Sequence, residues 1–206
     1  MICGFGIYDG EKGNTYHNNI FYRFWSSMIE RCYSEKMLKR NPTYQGTIVC
    51  DQWKYYSNFE KWAKENYIEG FNLDKDIIAG DLKIYSPETC CFVPPLINSC
   101  ILDKNTSNEY PIGVSYIKKN KDGYERPSPY RATISMYGKQ VHLKTFKTPE
   151  EAHQCWQENK IKYLNELIVE YKNIVGQNVI DGLLRRIDIL TFDFENKIIT
   201  KSINKV

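Results

Sequence analysis

The sequence predicts an α+β protein with a mainly helical first half and a second half in which a small antiparallel sheet packs on one helix. Three observations predict this class. Residues 20–33 carry apolar side chains at helical spacing, residues 130–146 alternate apolar and polar side chains, and residues 148–151 form a helix-start signal. The chain has 206 residues, of which 42% are hydrophobic, enough for the core of one large or two small domains.

The first predicted helix covers "IFYRFWSSMIERCY", residues 20–33. Its apolar side chains recur every three or four residues and are Ile20, Phe21, Phe24, Trp25, Met28, Ile29 and Cys32. Turn residues and a short apolar run at 48–50 follow, and "NFEKWAKENY" is again helical in pattern. The polar segment "LDKNTSNEYP", residues 102–111, is the best candidate for a boundary. We therefore expect a first unit over residues 1–101 and a linker over 102–111.

Beyond the linker the apolar pattern changes to a period of two. In "YRATISM" the residues Tyr130, Ala132, Ile134 and Met136 share one face, and Arg131, Thr133 and Ser135 share the other. In "KQVHLKTF" the split is Val141 and Leu143 against Gln140, His142 and Lys144. Gly138 between the two runs can take a positive φ angle, so we predict a hairpin.

A long helix should follow the hairpin. Thr148 is its predicted N-cap, Pro149 its first residue and Glu151 the partner in a capping box. Its apolar stripe comprises Ala152, Cys155, Trp156, Tyr163, Leu164, Leu167 and Ile168, and the pattern places His153 on the exposed side. We assign residues 112–175 to this second unit. Residues 176–206 are predicted to be an extension with a short helix at 183–186, a strand at 187–192 and a frayed end.

Charge and cysteine content set limits on function. The net charge of +3 permits a basic face but does not demand a polyanionic partner. The seven cysteines include no CxxC or CxxH pair, so neither a disulfide framework nor a zinc knuckle is indicated. Without an apolar run of membrane-spanning length or a signal-peptide pattern, we expect a protein of the cytoplasm that has no membrane partner.

The second unit resembles the DNA-binding domain of the APETALA and ethylene-response-factor type. The resemblance covers about residues 112–172 and depends on "IGVSYIKK", "YRATI", "GK", "LKTFKTPEEA" and Trp156, although Lys144 replaces a usual glycine. It implies a three-stranded sheet that enters the DNA major groove. The implied base-facing residues are Arg131, Thr133, Ser135, His142 and Lys144, and the implied phosphate-facing residues are Lys118, Lys119, Lys121 and Arg126.

The first unit resembles the HNH-like modules of phage and mobile-element endonucleases. The resemblance covers about residues 16–100 and depends on "FWSSMIERCYS", "PTYQG", "VCDQW", "NFEKW", "LDKD", "YSPETCCFVP" and Asn98. It implies a ββα-type module that holds one divalent metal ion, which hard oxygen ligands would make magnesium. An infected host cell would then be the place of action.

The catalytic positions of that family are only partly kept here. The resemblance implies metal ligands at Asp74, Asp76 and Asn98, but Lys75 replaces the histidine that activates water and Thr89 replaces the orienting asparagine. Lys75 is a poor base, since the two flanking carboxylates favour its charged form. Asp81 and Glu88 are candidate replacement ligands, and among the three histidines only His17 could act as a base delivered from elsewhere.

Several functions therefore stay open. The first hypothesis is a double-stranded DNA-binding protein with a degenerate HNH-like scaffold, in which Arg23, Arg31, Lys39, Arg40 and Lys75 add contacts. The second is an active magnesium-dependent endonuclease, and the third is a phage protein that binds a host protein through exposed tyrosines. Asp74, Lys75 and Asp76 also fit an ordinary turn with a surface ion pair, and Cys90 and Cys91 allow a zinc site. The sequence leaves the oligomeric state open.

Overall fold

The computed structural model describes residues 1–11, 19–102, 109–118 and 123–204. The chain divides into two compact units, Met1–Pro94 and Pro95–Lys205. The division falls before the boundary predicted at 101–102, because the segment after Pro94 is fixed to the second unit. There Lys160 Nζ donates to the Cys100 carbonyl at 2.5 Å and Asn204 Nδ2 to the Ile101 carbonyl at 2.8 Å. The predicted linker lies mostly at 103–108, outside the described residues.

The described part of the first unit combines helices with two pairs of short strands. Its helices are α1 (Ile20–Tyr33), α2 (Glu35–Arg40), α3 (Tyr56–Asn66) and α4 (Asp76–Ala79). Its strands are β1 (Ile48–Val49), β2 (Asn72–Asp74), β3 (Ile84–Tyr85) and β4 (Cys91–Val93). Strand β1 runs parallel to β3, and β2 runs antiparallel to β4.

The core of the first unit is built on α1. The Asn19 side chain caps this helix by accepting from the Phe21 and Tyr22 amides, which satisfies donors that have no partner inside the helix. Trp25 is fully buried, and its indole nitrogen donates to the Trp53 carbonyl at 2.7 Å. The helical spacing predicted for residues 20–33 therefore buries the predicted face.

The second unit contains the predicted sheet and helix. Its elements are α5 (Pro95–Cys100), β5 (Val114–Tyr116), β6 (Tyr130–Met136), β7 (Lys139–Phe146), α6 (Pro149–Tyr171) and α7 (Gln177–Glu195). The strands form one antiparallel sheet in the order β5-β6-β7, and one face of it packs on α6. The predicted α+β class is confirmed, with a three-stranded antiparallel sheet.

Two local predictions in this unit are confirmed. Met136 pairs with Lys139 across a two-residue turn, in which Tyr137 and Gly138 both have positive φ angles, 50° and 75°. Such a turn matches the twist of the flanking strands. Helix α6 begins with the predicted capping box, in which Thr148 accepts from the N3 amide and the N3 glutamate accepts from the Thr148 amide.

The prediction for the C-terminal extension was wrong. Residues 187–192 are not a strand but part of α7, a continuous helix of 19 residues. The buried residues recur at helical spacing over the whole segment and are Val179, Ile180, Gly182, Leu183, Arg186 and Leu190. The six-residue window that we interpreted as a strand is too short to separate the two periods.

The predictions for His153 and for the end of the chain were also wrong. His153 is fully buried: its Nδ1 lies 2.9 Å from the Ile112 carbonyl, and its Nε2 lies 3.0 Å from the Thr200 amide. Thr200 and Ile203 are buried too, so the described part of the tail is packed rather than frayed. The side of α6 that carries His153 faces this packed tail, which a pattern within α6 alone could not show.

Candidate nucleic-acid interface

The outer face of the sheet follows from the alternation of β6. Ala132 and Ile134 pack towards α6 and are 0% and 2% exposed. Successive side chains of a strand point to opposite faces, so Arg131, Thr133 and Ser135 lie on the other face of the sheet. This is the division that the sequence predicted for β6.

The strand register completes this face. Residues paired across an antiparallel sheet share a face. Arg131 lies between Ser115 of β5 and Thr145 of β7. The outer face therefore consists of Ser115, Arg131, Thr133, Ser135, Gln140, His142 and Thr145. No signal in the sequence marks Ser115 and Thr145 as site residues, because their place beside Arg131 depends on the register.

Arg131 has an unused donor at the centre of this face. Its Nε is buried and has no hydrogen-bond partner within the described parts of the chain. A buried donor without a partner costs about 1–3 kcal/mol. Nearly all buried polar groups in folded proteins are paired, so an exception calls for a specific explanation. Because Nε has almost no accessible surface, a bound molecule could reach only the other two nitrogens of this guanidinium.

Lys144 differs from its predicted position. The pairing shifts between Ala132 and Thr133, so that Thr133 pairs with His142, and Ala132 with Lys144. Leu143 is the extra residue of a β-bulge. Lys144 therefore shares the inner face with Ala132, and its Nζ lies 5.6 Å from the centre of the Phe146 ring. The bulge removes Lys144 from the base-facing set that we predicted.

The predicted phosphate-facing residues lie around the first loop of the sheet. Lys118 follows β5 and is exposed, and Arg126 is half-buried in the segment that leads to β6. Lys119 and Lys121 lie outside the described residues. The described part of this region thus supplies two cationic side chains, Lys118 and Arg126, near one end of the sheet.

Two residues of the "LDKD" segment of the first unit, Asp74 and Lys75, are buried. Asp74 ends β2 opposite Cys91 and is 7% exposed. Its Oδ1 accepts from the Ile77 amide at 2.7 Å and so caps the short helix α4. Lys75 is also 7% exposed, and its ammonium binds Asp76 Oδ1 and the Leu82 carbonyl. The predicted ion pair is therefore present between Lys75 and Asp76, but its lysine is buried and does not lie on the surface.

The Thr89 side chain forms hydrogen bonds within a turn. Its hydroxyl oxygen accepts from the Ser86 amide at 3.0 Å and donates to the Ile84 carbonyl at 2.8 Å. Both contacts hold the loop between β3 and β4. The Thr89 side chain thus stabilises the local structure where the family would place an orienting amide.

The remaining predicted ligands lie in different settings. Asn98 lies on α5, which belongs to the second unit. Asp81 and Glu88 are exposed, and hydrogen bonds to Ser86 and to the Glu88 backbone lower the pKa of the Glu88 carboxyl. In the described ranges no three side chains of His, Cys, Asp or Glu come close enough to hold a metal ion. Asp76 already binds the Lys75 ammonium through Oδ1, so a magnesium ion at Asp76 would meet a positive charge held beside it.

The zinc alternative meets the same limit. Burial is the main cause that raises the pKa of the Cys90 thiol to about 12, and it raises the pKa of Cys91 as well. Within the described ranges, neither cysteine belongs to a group of three His, Cys, Asp or Glu side chains that could hold a metal ion. His17, the base considered for delivery from elsewhere, lies outside the described residues.

Comparisons with protein-family models, with curated proteins and with solved structures returned no match to this chain. Among the described helices, none combines the length and the apolar character needed to cross a membrane.

Proposed function

We propose that this protein binds double-stranded DNA through the outer face of the β5-β6-β7 sheet. The observation that carries the proposal is the place of Arg131 on that face, between Ser115 and Thr145. A guanidinium can donate two parallel hydrogen bonds to the O6 and N7 acceptors of guanine. Arg131 would then gain two charge-assisted hydrogen bonds through the nitrogens other than its buried Nε.

The neighbours of Arg131 suit a close approach to a base edge. Ser115 and Thr145 flank it across the sheet, and Thr133 follows it on the same strand face. These short hydroxyl side chains leave room around the guanidinium and can donate or accept hydrogen bonds. Lys118 and Arg126 would contact phosphates and set the position of the sheet on the duplex.

The first unit would act as a scaffold rather than as a nuclease. Asp74 caps α4, Lys75 is buried against Asp76, and Thr89 holds a turn. These contacts use the side chains that would otherwise hold a metal ion or a water molecule. The magnesium-dependent endonuclease remains the alternative, and a plasmid assay in magnesium, manganese or EDTA separates the two.

Fluorescence anisotropy with labelled duplex DNA tests the proposal. A duplex selected by the protein from a random pool should bind Arg131→Gln roughly 5- to 100-fold more weakly, which corresponds to the loss of one guanine contact. Arg185→Gln is the matched control, because it removes the same charge from the exposed side of α7. The affinity should also fall steeply as the salt concentration rises.

The outcomes of this experiment are distinct. Equal losses in the two variants would indicate a general charge effect and contradict a specific role for Arg131. If no duplex binds, the proposal fails, and the third hypothesis, a host-protein partner, would need a pull-down from nuclease-treated lysate.

A further inference from the structure

A short gap in the sheet of the second unit lies beside the end of β6. Strand β5 pairs with residues 130–132 of β6, and the Thr133 amide donates to the Gly113 carbonyl at 2.8 Å. Gly113 has a φ angle of 78°, and the Val114 amide donates to the Pro111 carbonyl, so the chain turns just before β5. Within the described residues, the edge of β6 beyond Thr133 therefore has no neighbouring strand.

The backbone of Ser135 faces this gap. Hydrogen-bonding groups alternate from side to side along a strand, so the Ser135 N–H and C=O point to the same side as those of Thr133. Two positions further on, the Tyr137 amide donates to the Tyr163 hydroxyl at 2.9 Å. In the described parts of the chain, Ser135 has no comparable contact on this side. Its donor and its acceptor are therefore available between two neighbours whose amides are bonded.

A cavity of about 330 Å³ adjoins the Ser135 backbone. Its lining comes from four elements of the second unit and includes Ser99 of α5, Ser135 of β6, Gln140 of β7 and Trp156 of α6. Ile134 and Trp156 are buried and make its inner side apolar, whereas Ser135 and Gln140 add polar groups from the outer face of the sheet. The volume lies at the lower end of the range for ligand sites, about 300–1,000 Å³.

These groups match the backbone of an extended peptide. A residue that presents both a donor and an acceptor in the plane of a sheet pairs with one residue of an antiparallel strand. The side chain of that paired residue would share the outer face with Ser135. Its two neighbours along the peptide would point the other way, to the side of Ile134 and Trp156. In strand addition of this kind, main-chain hydrogen bonds give affinity and pockets for alternate side chains give specificity.

We propose that the gap beside Ser135 binds an extended peptide segment of a partner protein. One residue of the peptide pairs with the Ser135 backbone, and an apolar side chain next to it enters the cavity. The inference does not depend on the DNA-binding function proposed above, because it uses backbone groups at the sheet edge and not the Arg131 side chain.

NMR titration of the isotope-labelled full chain with the capped tripeptide acetyl-Leu-Ser-Leu-amide tests the site. The signals of the Ser135 amide and the Trp156 indole N–H should shift. The same tripeptide methylated on its central nitrogen cannot donate to the Ser135 carbonyl, so it should bind roughly 3- to 10-fold more weakly, as expected for one lost hydrogen bond.

Substitution of Ser135 tests the same contact from the protein side. Ser135→Pro removes the N–H that faces the gap and leaves the bonds to β7 intact, since proline is tolerated where the amide of a strand faces outward. The Trp156 signal should then report a similar loss of tripeptide affinity. Ser135→Ala is the matched control, because it keeps the amide and should bind the tripeptide like the parent.

A second variant keeps the test decisive if Ser135→Pro does not fold. Ser99→Trp places a ring in the cavity from α5 and should weaken tripeptide binding at least 10-fold. Lys162→Trp adds the same ring at an exposed position of α6 and should not. Equal affinity in the parent and in Ser99→Trp would overturn the proposal, as would a tripeptide that does not shift the Ser135 amide. Duplex DNA that shifts this amide when the tripeptide does not would assign the edge to DNA and overturn it too.

Discussion

In the second unit, Arg131 lies on the outer face of a sheet with one buried nitrogen unused, whereas in the first unit Asp74 and Lys75 are buried and contact the protein itself. Both regions contain the residue types that nucleic-acid chemistry needs. They differ in where the polar atoms point and in what those atoms already bind. Side chains that cap a helix or close an ion pair contribute to folding, whereas side chains whose donors the protein does not use can form new hydrogen bonds with a ligand.

This difference explains why a motif alone is a weak guide to activity. The "LDKD" segment keeps two carboxylates in the expected order. In the folded chain, however, the Asp74 carboxylate accepts a hydrogen bond from the Ile77 amide, and the Asp76 carboxylate accepts one from the Lys75 ammonium. The comparison predicts that substitutions in the acidic motif change stability, and that substitutions on the sheet face change binding.

The largest expected effect concerns the contact between Gly113 and Trp156, which positions β5 in the sheet. Gly113 precedes β5 with a φ angle of 78°, and a Cβ atom there would overlap the Trp156 indole. We expect Gly113→Ala to lower the free energy of unfolding by about 3 kcal/mol, from the backbone cost together with overpacking. DNA binding should fall with it, because β5 carries Ser115 beside Arg131. Urea unfolding followed by tryptophan fluorescence measures the change.

Gly138→Ala provides the control for backbone strain. Gly138 has a φ angle of 75°, and a Cβ atom there would meet nothing within 4 Å. This variant should cost only about 1 kcal/mol. Equal costs in the two variants would show that the Trp156 contact does not set the position of β5.

The next largest effect tests whether Asp74 stabilises the fold. Asp74→Ala removes the acceptor of the Ile77 amide from a buried site, so we expect a loss of about 2–3 kcal/mol in the free energy of unfolding. Asp74→Asn keeps one acceptor oxygen and should cost less. Thermal and urea unfolding of both variants give the ranking. If purified protein cuts supercoiled plasmid in magnesium and Asp74→Ala stops the cutting without any loss of stability, Asp74 is a catalytic residue and the two regions do not differ in this way.

The pH dependence of stability reports on His153. Burial is the main cause that lowers the pKa of His153, although the Ile112 carbonyl and Asp193 partly oppose it. The unfolded chain binds a proton at this residue near its ordinary pKa of about 6.5, and the folded chain binds it less readily. The contribution is therefore complete above about pH 6.5 and is lost as the pH falls below it, by at most about 1.4 kcal/mol per pH unit.

Unfolding in urea between pH 5 and 8 measures this slope. His153→Gln should flatten it. A slope that His153→Gln leaves unchanged would mean that the buried contacts to Ile112 and Thr200 do not control the titration.

Local signals in the sequence predicted the parts of the fold that depend on neighbouring residues. The turn at Tyr137 and Gly138 and the cap at Thr148 each follow from the preferences of a few adjacent residues. The outward positions of Arg131, Thr133 and Ser135 follow from the period of one strand. These predictions needed no knowledge of what packs against the segment.

The remaining features depend on contacts between distant residues. Alternation cannot show that Leu143 is an extra residue, so the pairing of the exposed Lys144 with Ala132 was missed. Burial of His153 depends on Thr200, 47 positions away. The sequence therefore predicts which residues can do chemistry better than it predicts which of their atoms are unused.

The smallest expected effect tests whether the Arg131 side chain contributes to folding or only to binding. Arg131→Met removes the unused Nε and keeps an unbranched apolar stem on the sheet. Because a buried donor without a partner is unfavourable, we expect the free energy of unfolding to stay the same or rise by up to about 1 kcal/mol, while duplex affinity falls. Denaturation in urea beside DNA titration of the same preparation measures both changes. If Arg131→Met instead lowers stability by about 1 kcal/mol or more, Arg131 stabilises the fold as Asp74 does, and the contrast between the two regions is lost.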